Sequence, residues 1–259
     1  MSSPVPASDE SDAQLATRLA TETGHLLVDL RRRLIAARAP YWHVMDEGDA
    51  AAQRYLASEL ARTRPSDAVL SEEGAEDPRR LTQDRVWIVD PLDGTREYGE
   101  PGRNDWAVHV ALWDRDHFAA GAVSLPAIER TLSTDPAPEV PMVKRATPVV
   151  VTSRSRTSYA TVVVADALGA NILQLGSAGA KAMAVVNGIA DVYVHAGGMY
   201  QWDSAAPAAV ALAAGLHVSR IDGSPIVYND PDPWLPDFVV CRPAFAEPVL
   251  TAIDAAARH

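Results

Sequence analysis

Residues 87–95 read Trp-Ile-Val-Asp-Pro-Leu-Asp-Gly-Thr, WIVDPLDGT in one-letter form. The apolar run Trp87–Ile88–Val89 has the make-up of a buried strand, and it stops abruptly at Asp90. Pro91 stiffens the turn that follows, so the carboxylates of Asp90 and Asp93 can reach one point, with the Leu92 carbonyl between them as a third oxygen. Gly94 and Thr95 then offer backbone N–H groups at a helix start, where phosphate oxygens are well received.

Four other acids stand in three similar places. Glu72 and Glu73 follow a short apolar run in SEEG (71–74), Asp203 sits at the mouth of a helix in YQWDSAA (200–206), and Asp49 does the same in DEGDAAAQ (46–53). Taken singly, each has an ordinary explanation: a helix N-cap for Asp49 and Asp203, a solvated turn for the glutamates. Taken together they suggest one site, and carboxylates gathered in one site repel one another unless a cation neutralises them. A hard divalent ion such as Mg²⁺ takes carboxylates, carbonyls, water and substrate phosphates as ligands, which points to metal-assisted phosphate hydrolysis.

Outward from these motifs the chain divides into two halves. Leucines 15, 19, 26, 27, 30 and 34 recur at helical spacing within 8–38, with Ser8 or Asp9 expected as the cap. A second helix is expected to start at Asp49, with Ala52, Leu56 and Leu60 on one face. Short β-type runs follow at hairpin intervals: DAVLSEE, RVWIVDP, DWAVHVALW, HFAAGAVSL and IERTLST. The proline-rich stretch STDPAPEVPMVKRATP (133–148) reads as the linker. Beyond it strands and helices alternate: PVVVTSR as a strand, TVVVADA as a strand or strand–helix edge, SAGAKAMAVVNG as a helix, ADVYVHA as a strand, DSAAPAAVALAAG as a helix and LHVSRI as a strand. The expected division is an α+β half over 1–145 with most of the acids, and an α/β half over 146–259 with the last of them.

Composition bounds the function. A net charge of −11 argues against a nucleic-acid polymer as partner and leaves room for a local basic pocket for a small phosphorylated molecule. Cys241, the only cysteine, lies in the apolar stretch FVVCRP; it forms no disulfide within the chain and reads as a buried thiol in a reducing compartment. The first residues lack the basic and apolar regions of a secretory signal, and no apolar run reaches the roughly 18 residues of a membrane span. The expectation is a cytoplasmic protein with no membrane partner.

SEEG, WIVDPLDGT and WDSAAPAAVALAAG, in that order, resemble the inositol monophosphatase-like family of Mg²⁺-dependent, Li⁺-sensitive phosphatases. The resemblance runs from the first helix to the expected closing strand. It implies a layered αβαβα sandwich of the inositol monophosphatase and fructose-1,6-bisphosphatase type. It also implies Glu72, Asp90, the Leu92 carbonyl, Asp93 and Asp203 as metal ligands for two or three Mg²⁺ ions. Thr95 and Asp49, with Glu72, resemble the groups that orient the attacking water, and Glu73 stands behind them. The lead-in MDEGD departs from the family's VTxAD, which bears on Asp49. No Cys or Ser sits in the motifs beside a base, so direct attack by water is expected rather than a covalent intermediate.

Within the family the details lean toward the 3'(2'),5'-bisphosphate nucleotidases of the CysQ type. REYG after DGT resembles their KEF, VTSRSR their SRSH, and GSAGAKAM their GSSxK. That branch implies removal of the 3'-phosphate of adenosine 3',5'-bisphosphate, a by-product of sulfate assimilation. Arg156, Ser177 and Lys181 are then expected near the substrate, with Gly94, Thr95 and Asp203 also in contact with it. A sugar phosphatase acting on inositol phosphate or fructose 1,6-bisphosphate, or a non-catalytic metal- or nucleotide-binding relative, are the competing readings. The family contains monomers and dimers, so a homodimer is compatible with the resemblance.

Overall fold

Alternation along the strands accounts for the layers. In β2 (Arg85–Asp93), Trp87 and Val89 point to one face of the sheet while Val86 and Ile88 point to the other, and all four are buried. A strand apolar on both sides must be covered twice. In this computed structural model, which describes residues 10–258, helices α1 (Asp12–Ala36) and α2 (Tyr41–Thr63) cover the first face through Leu15, Leu19, Leu56 and Leu60.

The first sheet runs β1 (Ala68–Ser71), β2, β3 (Ala107–Asp114), β4 (His117–Leu125), β5 (Arg130–Ser133) in spatial order, with β1 parallel to β2 and the rest antiparallel. A one-turn helix, α3 (Thr95–Gly99), follows β2. The second sheet has the order β7 (Asn171–Leu175), β6 (Val149–Ser153), β8 (Val192–Tyr200), β10 (Trp234–Cys241), β9 (His217–Ser219). Between the sheets lie α5 (Ala178–Val186) and α6 (Gln201–Ala213), whose small residues share one core with Ile88, Ala111, Tyr193 and Phe238. On the outer face, α4 (Tyr159–Ala167) and α7 (Pro243–Ala257) cover Val150, Val194 and Val239. The stack is helix, sheet, helix, sheet, helix, as expected. Cys241 is buried at the end of β10, where loss of solvation pushes its thiol up to about 12.

Several expectations change. Ser8 and Asp9 lie outside the described residues; α1 is capped by Ser11, which forms a capping box with Gln14. The second helix starts at Tyr41 after Pro40, so Asp49 stands well inside it and is not its cap. TVVVADA is wholly helical. Ser158 caps α4 by accepting from the Thr161 N–H, and burial of Val164 and Ala165 overrides the strand preference of three valines. The chain closes on helix α7, with Pro243 in its first turn, rather than on a strand. Among the described residues no helix is long and apolar enough to cross a membrane.

Gly48 fixes how closely α2 approaches the turn after β2. A Cβ there would lie 2.5 Å from a ring carbon of Tyr98 and 2.9 Å from Leu92 Cδ2. Gly48→Ala would gain about 1 kcal/mol of helix propensity against an overpacking cost of about 1–3 kcal/mol. The expected result is a net loss of stability in urea denaturation; a gain would show that the interface yields freely.

Candidate active site

The site forms where the C-terminal ends of β1 and β2 meet the N-terminal ends of α5 and α6. Asp90 and Asp93 are buried, and each can offer one oxygen, with Asp203, such that the three lie within 4.8 Å of one another. Asp203 comes from the first turn of α6, where its Oδ2 accepts the Tyr200 N–H at 2.6 Å. The turn 90–95 is built by local bonds: Asp90 Oδ1 accepts the Leu92 N–H at 3.1 Å, and Gly94 adopts φ +86°, a conformation that favours glycine. Thr95 Oγ1 is 3.2 Å from Asp49 Oδ1 and 3.1 Å from the Leu92 carbonyl, so the pair expected from the sequence does meet.

The electrostatics are those of a cluster of carboxylates drawn close together away from water. Loss of solvation, then Asp93 and Glu72, holds the Asp90 carboxyl well above its usual range. Glu72 is exposed along much of its side chain but carries its carboxyl into the cluster. There loss of solvation, then Asp203 and Asp93, pushes it up to about 7. Asp203 is pushed up to about 6, first by loss of solvation and then by Asp93, and Asp49 to about 7, first by loss of solvation and then by Glu73. Asp93 is the exception: burial works to raise it, but His109, Lys181 and the Gly179 N–H outweigh burial and hold it below the carboxylate range. The Ala178 and Gly179 N–H groups at the start of α5 donate to its two oxygens at 3.1 and 2.6 Å.

The cluster opens into a cavity of about 570 Å³ whose wall carries Glu72, Asp93, Ser177, Lys181 and Asp203. Ser177 caps α5, its hydroxyl accepting the Ala180 N–H at 2.9 Å. Lys181 is buried, donates to the Gly176 carbonyl and lies 5.5 Å over the Tyr193 ring. Arg156 is not part of the wall; it is exposed and donates to the Gly197 carbonyl at 2.7 Å. Arg154, two residues earlier, lines the cavity instead, paired with Glu97 at 2.5 Å and Glu100 at 2.6 Å, and Arg96 stands exposed on the same wall. Tyr200 also lines it, stacked on Trp202 at 4.7 Å.

One site residue was not read from the sequence. His109, in β3, is fully buried with Nε2 3.1 Å from Asp93 Oδ2. A signal was present: Ala107, Ala111 and Trp113 share the face toward α5 and α6, and His109, two residues from Ala107 and Ala111, lies on that same face opposite Asp90 in register.

An all-oxygen donor set drawn inward against its own repulsion fits a hard divalent cation. Asp90, Asp93, Asp203 and Glu72, with the Leu92 carbonyl, are the groups that would hold it.

A model of the inositol monophosphatase family matches residues 42–254. The 3'-phosphoadenosine 5'-phosphate phosphatase of Mycobacterium leprae is 45% identical over 257 residues, covering 94% of this chain and 93% of that protein. The 3'(2'),5'-bisphosphate nucleotidase CysQ of Escherichia coli is 32% identical over 202 residues, 72% of this chain and 80% of that one. Among solved structures, CysQ from Bacteroides thetaiotaomicron superposes with a TM-score of 0.74 at 25% identity, covering 91% of this chain and 98% of that one.

The raised carboxyls give a signed prediction. Between pH about 4 and 7 the folded, metal-free protein binds more protons at Glu72, Asp203 and Asp49 than the unfolded chain does. Its stability should therefore fall as pH rises through that window. A divalent cation needs those groups deprotonated, so the rise in melting temperature with added Mg²⁺ should grow over the same window. Asp90→Asn should raise the metal-free melting temperature and remove the Mg²⁺-dependent rise. A Mg²⁺ effect equal at acid and neutral pH, or kept in the variant, would contradict this.

Proposed function

The chain belongs to the inositol monophosphatase family, and from that premise we propose that it removes the 3'-phosphate of adenosine 3',5'-bisphosphate, giving AMP and phosphate. The observation that carries the reading is a floor suited to a cation beside a wall suited to an anion. Asp90, Asp93 and Asp203 converge at the base of a cavity whose sides bear Arg96, Arg154 and Lys181. Its volume, about 570 Å³, lies in the range of sites for small molecules. The relatives named for this nucleotide supply the substrate class. A lone buried thiol, Cys241, accords with a reducing cytoplasm as the working compartment.

When bound, Mg²⁺ would supply Lewis-acid stabilisation of the leaving oxygen and lower the pKa of an attacking water. The chain's own residues do the rest. The Thr95 hydroxyl, bonded to Asp49 Oδ1, orients a water toward phosphorus. Asp49, through its hydrogen bond with Thr95, is placed to take up the proton that the attacking water gives up, and Glu72 stands across the cluster. Ser177 and Lys181 lie on the side nearer Asp93 and face the scissile phosphate. Arg96 and Arg154 face the remote one, since the cluster takes the scissile phosphate of any ester and cannot itself discriminate. Arg suits this role because its planar fork matches phosphate geometry.

A charge-assisted contact contributes about 1.5–3 kcal/mol, roughly ten- to a hundredfold in kcat/KM. Arg96→Ala should lose about that much on adenosine 3',5'-bisphosphate and little on adenosine 3'-monophosphate, which lacks the remote phosphate. Arg156→Ala should leave the ratio unchanged. Equal losses on both substrates would remove Arg96 from the remote site.

Li⁺ is expected to inhibit by taking one cation position. Inhibition should strengthen as Mg²⁺ and substrate approach saturation, and K⁺ at equal ionic strength should not reproduce it. Full activity in Li⁺ at every Mg²⁺ concentration would show that this position differs here.

A further inference from the structure

His109 joins two segments, far apart in sequence, that contribute the carboxylates of Asp93 and Asp203. It is fully buried on β3. Nε2 lies 3.1 Å from Asp93 Oδ2, and Nδ1 lies 3.2 Å from the carbonyl oxygen of Trp202, the residue before Asp203. The imidazole thus spans from the turn after β2 to the first turn of α6. The ring has room only because residue 179 is glycine: a Cβ there would lie 2.1 Å from Nε2.

The two oxygens of Asp93 are treated differently. Oδ2 faces the imidazole edge and also accepts the Gly179 N–H at 2.6 Å. Oδ1 accepts one backbone N–H, that of Ala178, at 3.1 Å. A carboxylate offers about four lone-pair positions, two on each oxygen. The Nε2–H is not aimed at Oδ2 as a hydrogen bond, so Oδ2 is shielded by the packed ring together with the Gly179 N–H, and Oδ1 is the oxygen left more open.

We infer that His109 is a positioning residue for the cation: it shields Asp93 Oδ2, presents Oδ1 alone as a single-oxygen ligand, and sets the separation of Asp93 from Asp203 through the Trp202 carbonyl. This rests on reading the carboxylate cluster as a cation site. The side chain touches the ligand rather than substrate, so its effect falls on cation affinity. Groups that orient metal ligands in this way commonly account for ten- to a hundredfold in affinity.

The test is calorimetric titration of the metal-free protein with MnCl₂, without substrate and at fixed pH, for wild type, His109→Ala and His109→Asn. Asparagine is too short to meet both partners. The Mn²⁺ dissociation constant should rise roughly ten- to a hundredfold in each variant, while each keeps a single cooperative melting transition without metal. In turnover, half-saturating Mg²⁺ should rise by the same factor, with kcat at saturating Mg²⁺ largely kept. Unchanged affinity in a folded variant overturns the inference. Tighter binding overturns it too, since the imidazole would then act as a competing charge. Loss of folding in both variants would make the residue structural and overturn it as well. If wild type binds Mn²⁺ and the variants match it, only this inference falls. If wild type binds no Mn²⁺, the cation-site reading falls and takes the inference with it.

Discussion

Carboxylates gathered away from water repel one another, and the rest of this structure is arranged around that repulsion. Two unit charges about 4 Å apart interact by about 4 kcal/mol at the dielectric typical of a protein surface. Here Asp90, Asp93 and Asp203 lie within 4.8 Å, with Asp90 only 1% exposed. The chain offsets part of this itself. The α5 amides and His109 hold Asp93 ionised, and Lys181 adds charge from the cavity wall. What remains falls on Asp90, Glu72 and Asp203, whose carboxyls are all raised. Only an added cation relieves that remainder without protonation.

The five-layer stack is what brings the acids together. Both faces of the first sheet are buried, so helices must cover it on both sides. The second cover, α5 and α6, comes from the later part of the chain. That layer aims two helix N-termini at the ends of β1 and β2. One delivers backbone N–H groups to Asp93, the other delivers Asp203. Close approach of α2, permitted by Gly48, sets Asp49 against Thr95. Fold and site are therefore linked through small residues: alanines and glycines let the helices come near enough for short acid side chains to meet.

Much of this was legible in the sequence, because the key features are local. An apolar run that ends in Asp-Pro-Leu-Asp-Gly-Thr carries its own turn chemistry, and the acids after other apolar runs repeat the pattern. Long-range features were less legible. TVVVADA has the composition of a strand, and only its Ser158 cap and the burial of Val164 make it a helix. Asp49 looked like a helix start because Asp is a favoured N-cap, yet it lies well inside α2, where the Gly48 before it serves packing. Arg154 and Arg156 alternate in an irregular segment, and which of them faces the cavity depends on the pairing of Arg154 with Glu97 and Glu100 on α3 and just beyond it. His109 was hidden in an apolar strand; its partners are set by strand register and by α6, neither of which is local to it.

The central claim is that the buried carboxylates are held together to bind a divalent cation for phosphate ester hydrolysis. Crystals of the protein grown with Mn²⁺ and measured near the manganese absorption edge test it directly. The account predicts anomalous density among Asp90, Asp93 and Asp203, with the Leu92 carbonyl and Glu72 at its margin. A well-ordered cluster with no anomalous density, its carboxyls paired with one another through shared protons, would contradict it.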